Sequence, residues 1–329
     1  PPGSDRLEVV LNTGLLAGQR HYSTERQSKI HTQLTVGRNG WIYGGTKRGN
    51  EYFHERALYA TGPQHYPGGV FFRFNPESGL HQNLGIPRPG EGLLAQAYDP
   101  QRHRFWLLTH PRTELLRIDL TENGMTTRNF GQASRYPHRH FITDGKGNVW
   151  ISSREGMFVR VDAETFEMTE YRVTGIPSEA LPVGYLHMVP TPDGRGMLLG
   201  AAGRSELLRV DLRPKGRTLP GRVLCDFSRL DPRLLSFRYV ALDEKTNRLF
   251  AFFASGSWRG DRQVHLASAD IEKGDPQLHG RLVVANAEGF APSAVWAAQV
   301  FDNREIALGG SCLVRGYHSY GSKTGAGVF

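Results

Sequence analysis

Histidine, tyrosine and arginine recur at matched places along this chain. His31, His140, His187 and Tyr239 each fall in a short run of strand-forming residues. An imidazole exchanges protons near neutral pH, and a phenol can pass a proton to a departing oxygen. Arg112, Arg154, Arg204 and Arg238 stand in or beside the loops that follow or precede such runs. A guanidinium pairs in two-pronged fashion with carboxylate, sulfate or phosphate. Gln33, Arg48, His65 and Trp296 complete the set expected to touch a ligand. Together these groups suit one reaction. Arginine neutralises a carboxylate, a His or Tyr removes the proton beside it, and a Tyr or His protonates the leaving oxygen. His31, His140 and His187 also match the ligand count of a Zn, Mn or Cu site, and a divalent ion is the one cofactor this set suggests. The plainer reading makes each imidazole a hydrogen-bonded strand residue. It pairs each loop arginine with an acid such as Glu155, Glu206 or Asp261.

The elements that must position these groups are repeated strands. Leu115, Leu116, Arg117, Ile118, Asp119 and Leu120 form a stretch that returns, intact or worn, around Arg73, Arg160, Arg209, Ser268 and Arg315. A recurrence of roughly 45 residues with strand-like content signals stacked sheets or blades. Within each repeat a first strand, a Gly/Asp/Asn turn, a second strand, a loop, the Arg-bearing third strand, a polar turn and a fourth strand can be read. Residues 138–173 show this most clearly. Four antiparallel strands per repeat predict an all-β fold, a single β-propeller domain over residues 1–329. Six blades follow from the count, with seven as the runner-up. Two β-sandwiches are the weaker alternative, since no linker divides the chain.

First strands are predicted near 30–36, 93–98, 138–143, 185–190, 237–242 and 293–299. They carry His31, Gln33, Gln96, His140, Tyr185, His187, Arg238, Tyr239 and Trp296. In a propeller these strands line the channel, so the set is expected to converge at its mouth. Residues 6–11 read as an orphan strand that completes the last blade and removes an open edge. A long insertion at 46–68 in the first blade holds Tyr52, His54, Tyr59, His65 and Tyr66, a composition suited to a lid or a sugar-stacking wall. The repeated Arg73, Arg117, Arg160 and Arg209 are expected to be structural, pairing between blades or with the following Asp.

The chain has 329 residues, a formal net charge of +8, 39 glycines and 19 prolines. That composition favours short strands and tight turns over long helices. The positive charge points to an anionic partner. Scattered arginines without a continuous basic track argue against nucleic acid. No apolar run approaches the length of a membrane span. Cys225 and Cys312 are expected to be free thiols. Phosphate-cradling loops, dinucleotide-binding glycine fingerprints, HExxH and GxSxG are all missing from the sequence.

The stretch from Asp144 to Ile151, Asp-Gly-Lys-Gly-Asn-Val-Trp-Ile, resembles blades of virginiamycin B lyase-like, NHL-like and gluconolactonase-type propellers. The His, Tyr and Arg combination resembles propeller polysaccharide lyases of the ulvan or oligogalacturonate type. That likeness implies a carbon–oxygen lyase acting beside a uronic acid by β-elimination. The expected ligand is an anionic small molecule or oligosaccharide, the expected state a monomer, and the compartment periplasmic or extracellular. A cyclase or isomerase of natural-product metabolism is one alternative, which would leave the protein cytoplasmic. A non-catalytic ligand-binding propeller is the other.

Overall fold

The computed structural model describes residues 11–18, 29–47, 66–122, 124–134, 140–181, 186–256, 263–282, 290–300, 306–314 and 327–328. The chain divides into two compact units, Pro1–Pro137 and His138–Phe329.

The first unit holds two antiparallel sheets. One comprises β1 (Lys29–Ile30), β2 (Thr35–Val36), β3 (Ile42–Lys47), β4 (Phe71–Phe74) and β5 (His81–Gly85), with β1 and β2 both paired to β3. The predicted continuous strand at 30–36 is therefore broken, with His31 and Gln33 in the gap. The other sheet is β6 (Gly92–Asp99), β7 (Arg104–His110), β8 (Glu114–Leu120) and β9 (Met125–Gln132). Tyr43, Phe71, Leu93, Phe105, Leu107, Leu116 and Ile118 bury their side chains together between these sheets. Gly45 is needed there, because a Cβ would lie 2.8 Å from Leu93 Cδ1. A one-turn helix, α1 (Thr13–Leu16), is capped by Asn12, whose side chain accepts from the Gly14 and Leu15 N–H groups.

The second unit continues the pattern with β10 (Ile142–Thr143), β11 (Val149–Arg154), β12 (Met157–Val161) and β13 (Met168–Thr174). Next come β14 (Leu186–Pro190), β15 (Gly196–Ala201), β16 (Glu206–Asp211) and β17 (Thr218–Asp226). β18 (Phe237–Asp243), β19 (Arg248–Ser255), β20 (Gln263–Asp270) and β21 (Pro276–Arg281) form a third set. β22 (Phe290–Val300), β23 (Ile306–Val314) and β24 (Gly327–Val328) form the last. The outer strands β13 and β17 pair in parallel, which merges their two sheets into one of eight strands. The turn β10–β11 is organised by Asp144, which accepts from the Lys146 and Asn148 N–H groups, the Asn148 amide and the buried Trp150 indole. An Asx turn of this kind was legible in the residues themselves.

The repeated third-strand arginines are structural. Arg117 pairs with Asp119 at 2.6 Å and Arg160 with Asp162 at 3.7 Å. Arg209 reaches the next sheet, at Glu272 (2.6 Å) and the Ile271 carbonyl. Arg73 donates to Gln82 and to the Glu122 carbonyl. At the Ser268 position the charge comes from β19 instead, where Arg248 Nε donates to Ser268 Oγ at 2.8 Å.

Two further readings change. Of the predicted strand at 138–143, the described residues, 140–143, are strand at Ile142–Thr143, which leaves His140 just ahead of it. The worn motif copy around Arg315 is not a third strand, because Cys312–Val314 lie in β23, which pairs directly with the first strand β22. Apolar content near an arginine resembles the repeat without sharing its register. Residues 6–10 of the orphan strand and 48–65 of the insertion lie outside the described residues, and Leu11 is not in a strand.

Cys225 is a free thiol, and burial pushes it up to about 12. The thiolate is the reactive form. Cys225 is therefore expected to resist a thiol-titrating disulfide reagent at pH 8 in the folded protein and to react on denaturation, which mapping of the modified peptide would show.

Candidate functional site

In the second unit, β10 lies beside β14, and β14 beside β18. This brings together His140, His187 and Tyr239 from three successive sets of four strands. The ring centroids of His140 and His187 are 4.7 Å apart, and Tyr239 is 5.7 Å from His140 and 5.9 Å from His187. Both imidazoles are half-buried, and Tyr239 is 9% exposed.

Local sequence explains how each ring arrives. His187 is paired across the strands with Gly200, so no cross-strand side chain covers it on its own sheet. On β18 the register shifts between Phe237 and Tyr239. Arg238 is the extra residue of this bulge, and a bulge re-aims the side chains that flank it. Two residues apart on a plain strand, Phe237 and Tyr239 would share a face. Here Phe237 packs with Phe227 and Phe253, whereas Tyr239 packs with Phe252, Val264 and Val295. The shift delivers Tyr239 to the histidines and sets Arg238 beside it. Such a bulge leaves no mark in the hydrophobic pattern, so sequence alone did not separate the roles of these three neighbours.

The other expected residues are placed differently. His31 belongs to the first unit, where its Nδ1 donates to the Leu94 carbonyl at 2.8 Å. A carbonyl can only accept, so the proton sits on Nδ1 and Nε2 is the basic nitrogen of the neutral ring. Gln33, also in that unit, is half-buried. Arg154 makes a two-pronged pair with Glu170 on β13, at 2.7 Å and 3.2 Å, rather than with Glu155. Arg204 donates to the Glu179 carbonyl at 2.6 Å. Arg112 donates its N–H to Glu91 at 3.0 Å, and its guanidinium lies 3.5 Å from the same carboxyl. The expected funnel of arginines is thus drawn into contacts within the protein at three positions. Arg48 and His65 lie outside the described residues. Trp296 falls at a register shift of β22.

Glu91 is a residue that sequence reasoning passed over. It is 3% exposed, and burial raises its carboxyl above the usual range in spite of the Arg112 contacts. A carboxyl whose folded value is raised binds its proton more tightly in the native state. Stability is then greatest below the ordinary carboxylate range and falls as pH rises through the raised value. Glu91→Gln is expected to abolish that fall, seen as a melting temperature that rises relative to wild type between mildly acidic and neutral pH.

Among the described residues no three His, Cys, Asp or Glu side chains gather into a group able to hold a metal ion. His140 and His187 form a pair, one imidazole short of the usual three protein ligands.

No family model matches the chain, and no curated protein matches it. Solved structures do. The chain is similar to the Cps50 (Swd1) β-propeller domain of Myceliophteria thermophila, at 14% identity and a TM-score of 0.54, covering 85% of this chain and 79% of that one. The chain has a β-propeller fold. The propeller is similar as well to a protein from Lactobacillus plantarum, at 10% identity and a TM-score of 0.59, with 86% and 77% covered. It is likewise similar to hydrazine synthase of Kuenenia stuttgartiensis, at 10% identity and a TM-score of 0.57, with 89% and 76% covered. At such identities the likeness carries the fold and no activity. The described residues form five sheets, and with the eight-stranded one counted as two sets of four strands they are consistent with the blade count read from the repeats.

Proposed function

We propose that this propeller is a lyase that cleaves an anionic, uronate-containing carbohydrate by β-elimination. One observation carries the reading: His140, His187 and Tyr239, from three different blades, meet within 4.7–5.9 Å ring to ring. A structural role for a single histidine needs one partner. Two imidazoles and a phenol in one place supply both a base and an acid for the same reaction.

In the proposed step one imidazole takes the proton from the carbon beside the carboxylate. The electron pair of that C–H bond becomes the new C=C bond. The C–O bond to the leaving sugar breaks, and Tyr239 protonates the departing oxygen. Arg238, adjacent to Tyr239 in the bulge, is assigned to the carboxylate, whose neutralisation acidifies the α-proton. The arginines at 112, 154 and 204 are left out of this step because other groups of the protein already engage them. A divalent ion, if one were held, would rest on His140 and His187 and would polarise the carboxylate. The lyase reading carries with it a periplasmic or extracellular location and a monomer.

Product analysis tests the reaction class. The protein would be incubated with uronic-acid polysaccharides, and the new chain ends examined by mass spectrometry. Elimination leaves an unsaturated non-reducing end, one water lighter than a hydrolysis product. Saturated ends alone would make the protein a hydrolase. Intact polymer would leave the alternatives of a small-molecule cyclase and a binding propeller.

A further inference from the structure

A second pair of reactive side chains lies on β19 and β20, in the sheet whose first strand, β18, carries Tyr239. Ser255 closes β19, and its Oγ is 3.1 Å from Nε2 of His265 on β20. Ser255 is half-buried, and the exposed Gly256 follows it with φ +78. Among the described residues the Gly256 N–H has no acceptor.

His265 is out of keeping with its repeat. Three residues before the repeated arginine position the other third strands carry Val70, Glu114, Met157 and Glu206. Packing of a blade therefore does not require histidine there. His265 is 2% exposed, and its imidazole is held below its usual value, first by burial and then by Arg233, with Asp231 pulling the other way. The ring is thus neutral, the form that can take a proton. Asp231 is held ionised, at about 2, chiefly by its two-pronged pair with Arg233.

We propose that Ser255 is a nucleophile served by His265, which gives this protein an acyl-transfer site of the ester-cleaving class. Ser255 Oγ attacks the ester carbonyl as its hydroxyl proton passes to His265 Nε2. The carbonyl oxygen of the tetrahedral adduct takes the negative charge, and the Gly256 N–H stands next in the chain to donate to it. The C–O bond of the ester breaks, and His265 returns the proton to the departing alcohol. Water then cleaves the acyl-serine by the same route. This site stands whether or not the lyase reading holds.

A fluorophosphonate probe tests it on the full chain. The Ser255 Oγ–P bond forms, fluoride leaves and the hydroxyl proton goes to His265. Intact-mass and peptide analysis should show one adduct, at Ser255, that is lost in Ser255→Ala. His265→Gln is expected to slow labelling by about 100-fold or more. Circular dichroism would establish that each variant is folded. Labelling is read by mass and does not depend on uronate elimination, so failure of this site and failure of the lyase reading are distinguishable. No adduct on Ser255, or a His265→Gln labelling rate equal to that of wild type, would overturn the proposal.

Discussion

His187→Ala and His140→Ala are each expected to lower the elimination rate by about 10²–10⁴-fold, the usual contribution of a positioned acid or base. Both rings are half-buried and stand in contact with one another rather than in a packed apolar core. The fold should therefore tolerate either change, and circular dichroism and melting should stay close to wild type. If both variants together lose no more than either one alone, the two imidazoles work as a unit, since groups that act together are far from additive. Tyr239→Phe keeps the ring that packs on Phe252 and removes only the phenolic proton. A comparable loss in that variant would place the acid at Tyr239.

Phe237→Ala is expected to do the reverse, costing about 3–5 kcal/mol of stability. Phe237 is fully buried. Its ring is 4.5 Å from Phe253 and 5.9 Å from Phe227, centroid to centroid. It also fills the space over Gly200, where a Cβ would come within 2.5 Å of the ring. Truncation leaves a cavity ringed by aromatic groups that cannot close around it. Urea unfolding would show the midpoint fall with little change in slope. Phe237 anchors the strand segment whose bulge presents Arg238 and Tyr239, so activity should fall with it. The pair of experiments separates a residue that holds the site in place from one that reacts.

The blade pattern was legible because it rests on strong, local signals. Third strands such as Leu115–Asp119 set buried apolar residues on either side of an arginine, and the Asp144 turn declares itself in four residues. The meeting of His140, His187 and Tyr239 was legible for the same reason, since the three occur near the start of predicted first strands. What was not legible depends on register and on pairing partners far along the chain. The bulge at Arg238 and the break around His31 are single-residue shifts that leave composition unchanged. The partner of Arg154 is Glu170 and not Glu155, because the antiparallel turn returns the fourth strand past the second-strand end. The buried Glu91 reads as an ordinary loop acid until its surroundings are known. The motif around Arg315 misled because similar residues occupy a different strand of the sheet.

The most direct test of the central claim is the ultraviolet absorbance of unsaturated uronate during incubation with uronic-acid polysaccharides. Wild-type protein and the His140→Ala/His187→Ala double variant would be compared, with and without chelator. The account predicts a rise with wild type, no response to chelator, and a flat trace with the double variant. An equal rise from the double variant would remove proton transfer from these histidines, and a flat wild-type trace across the panel would contradict the lyase assignment.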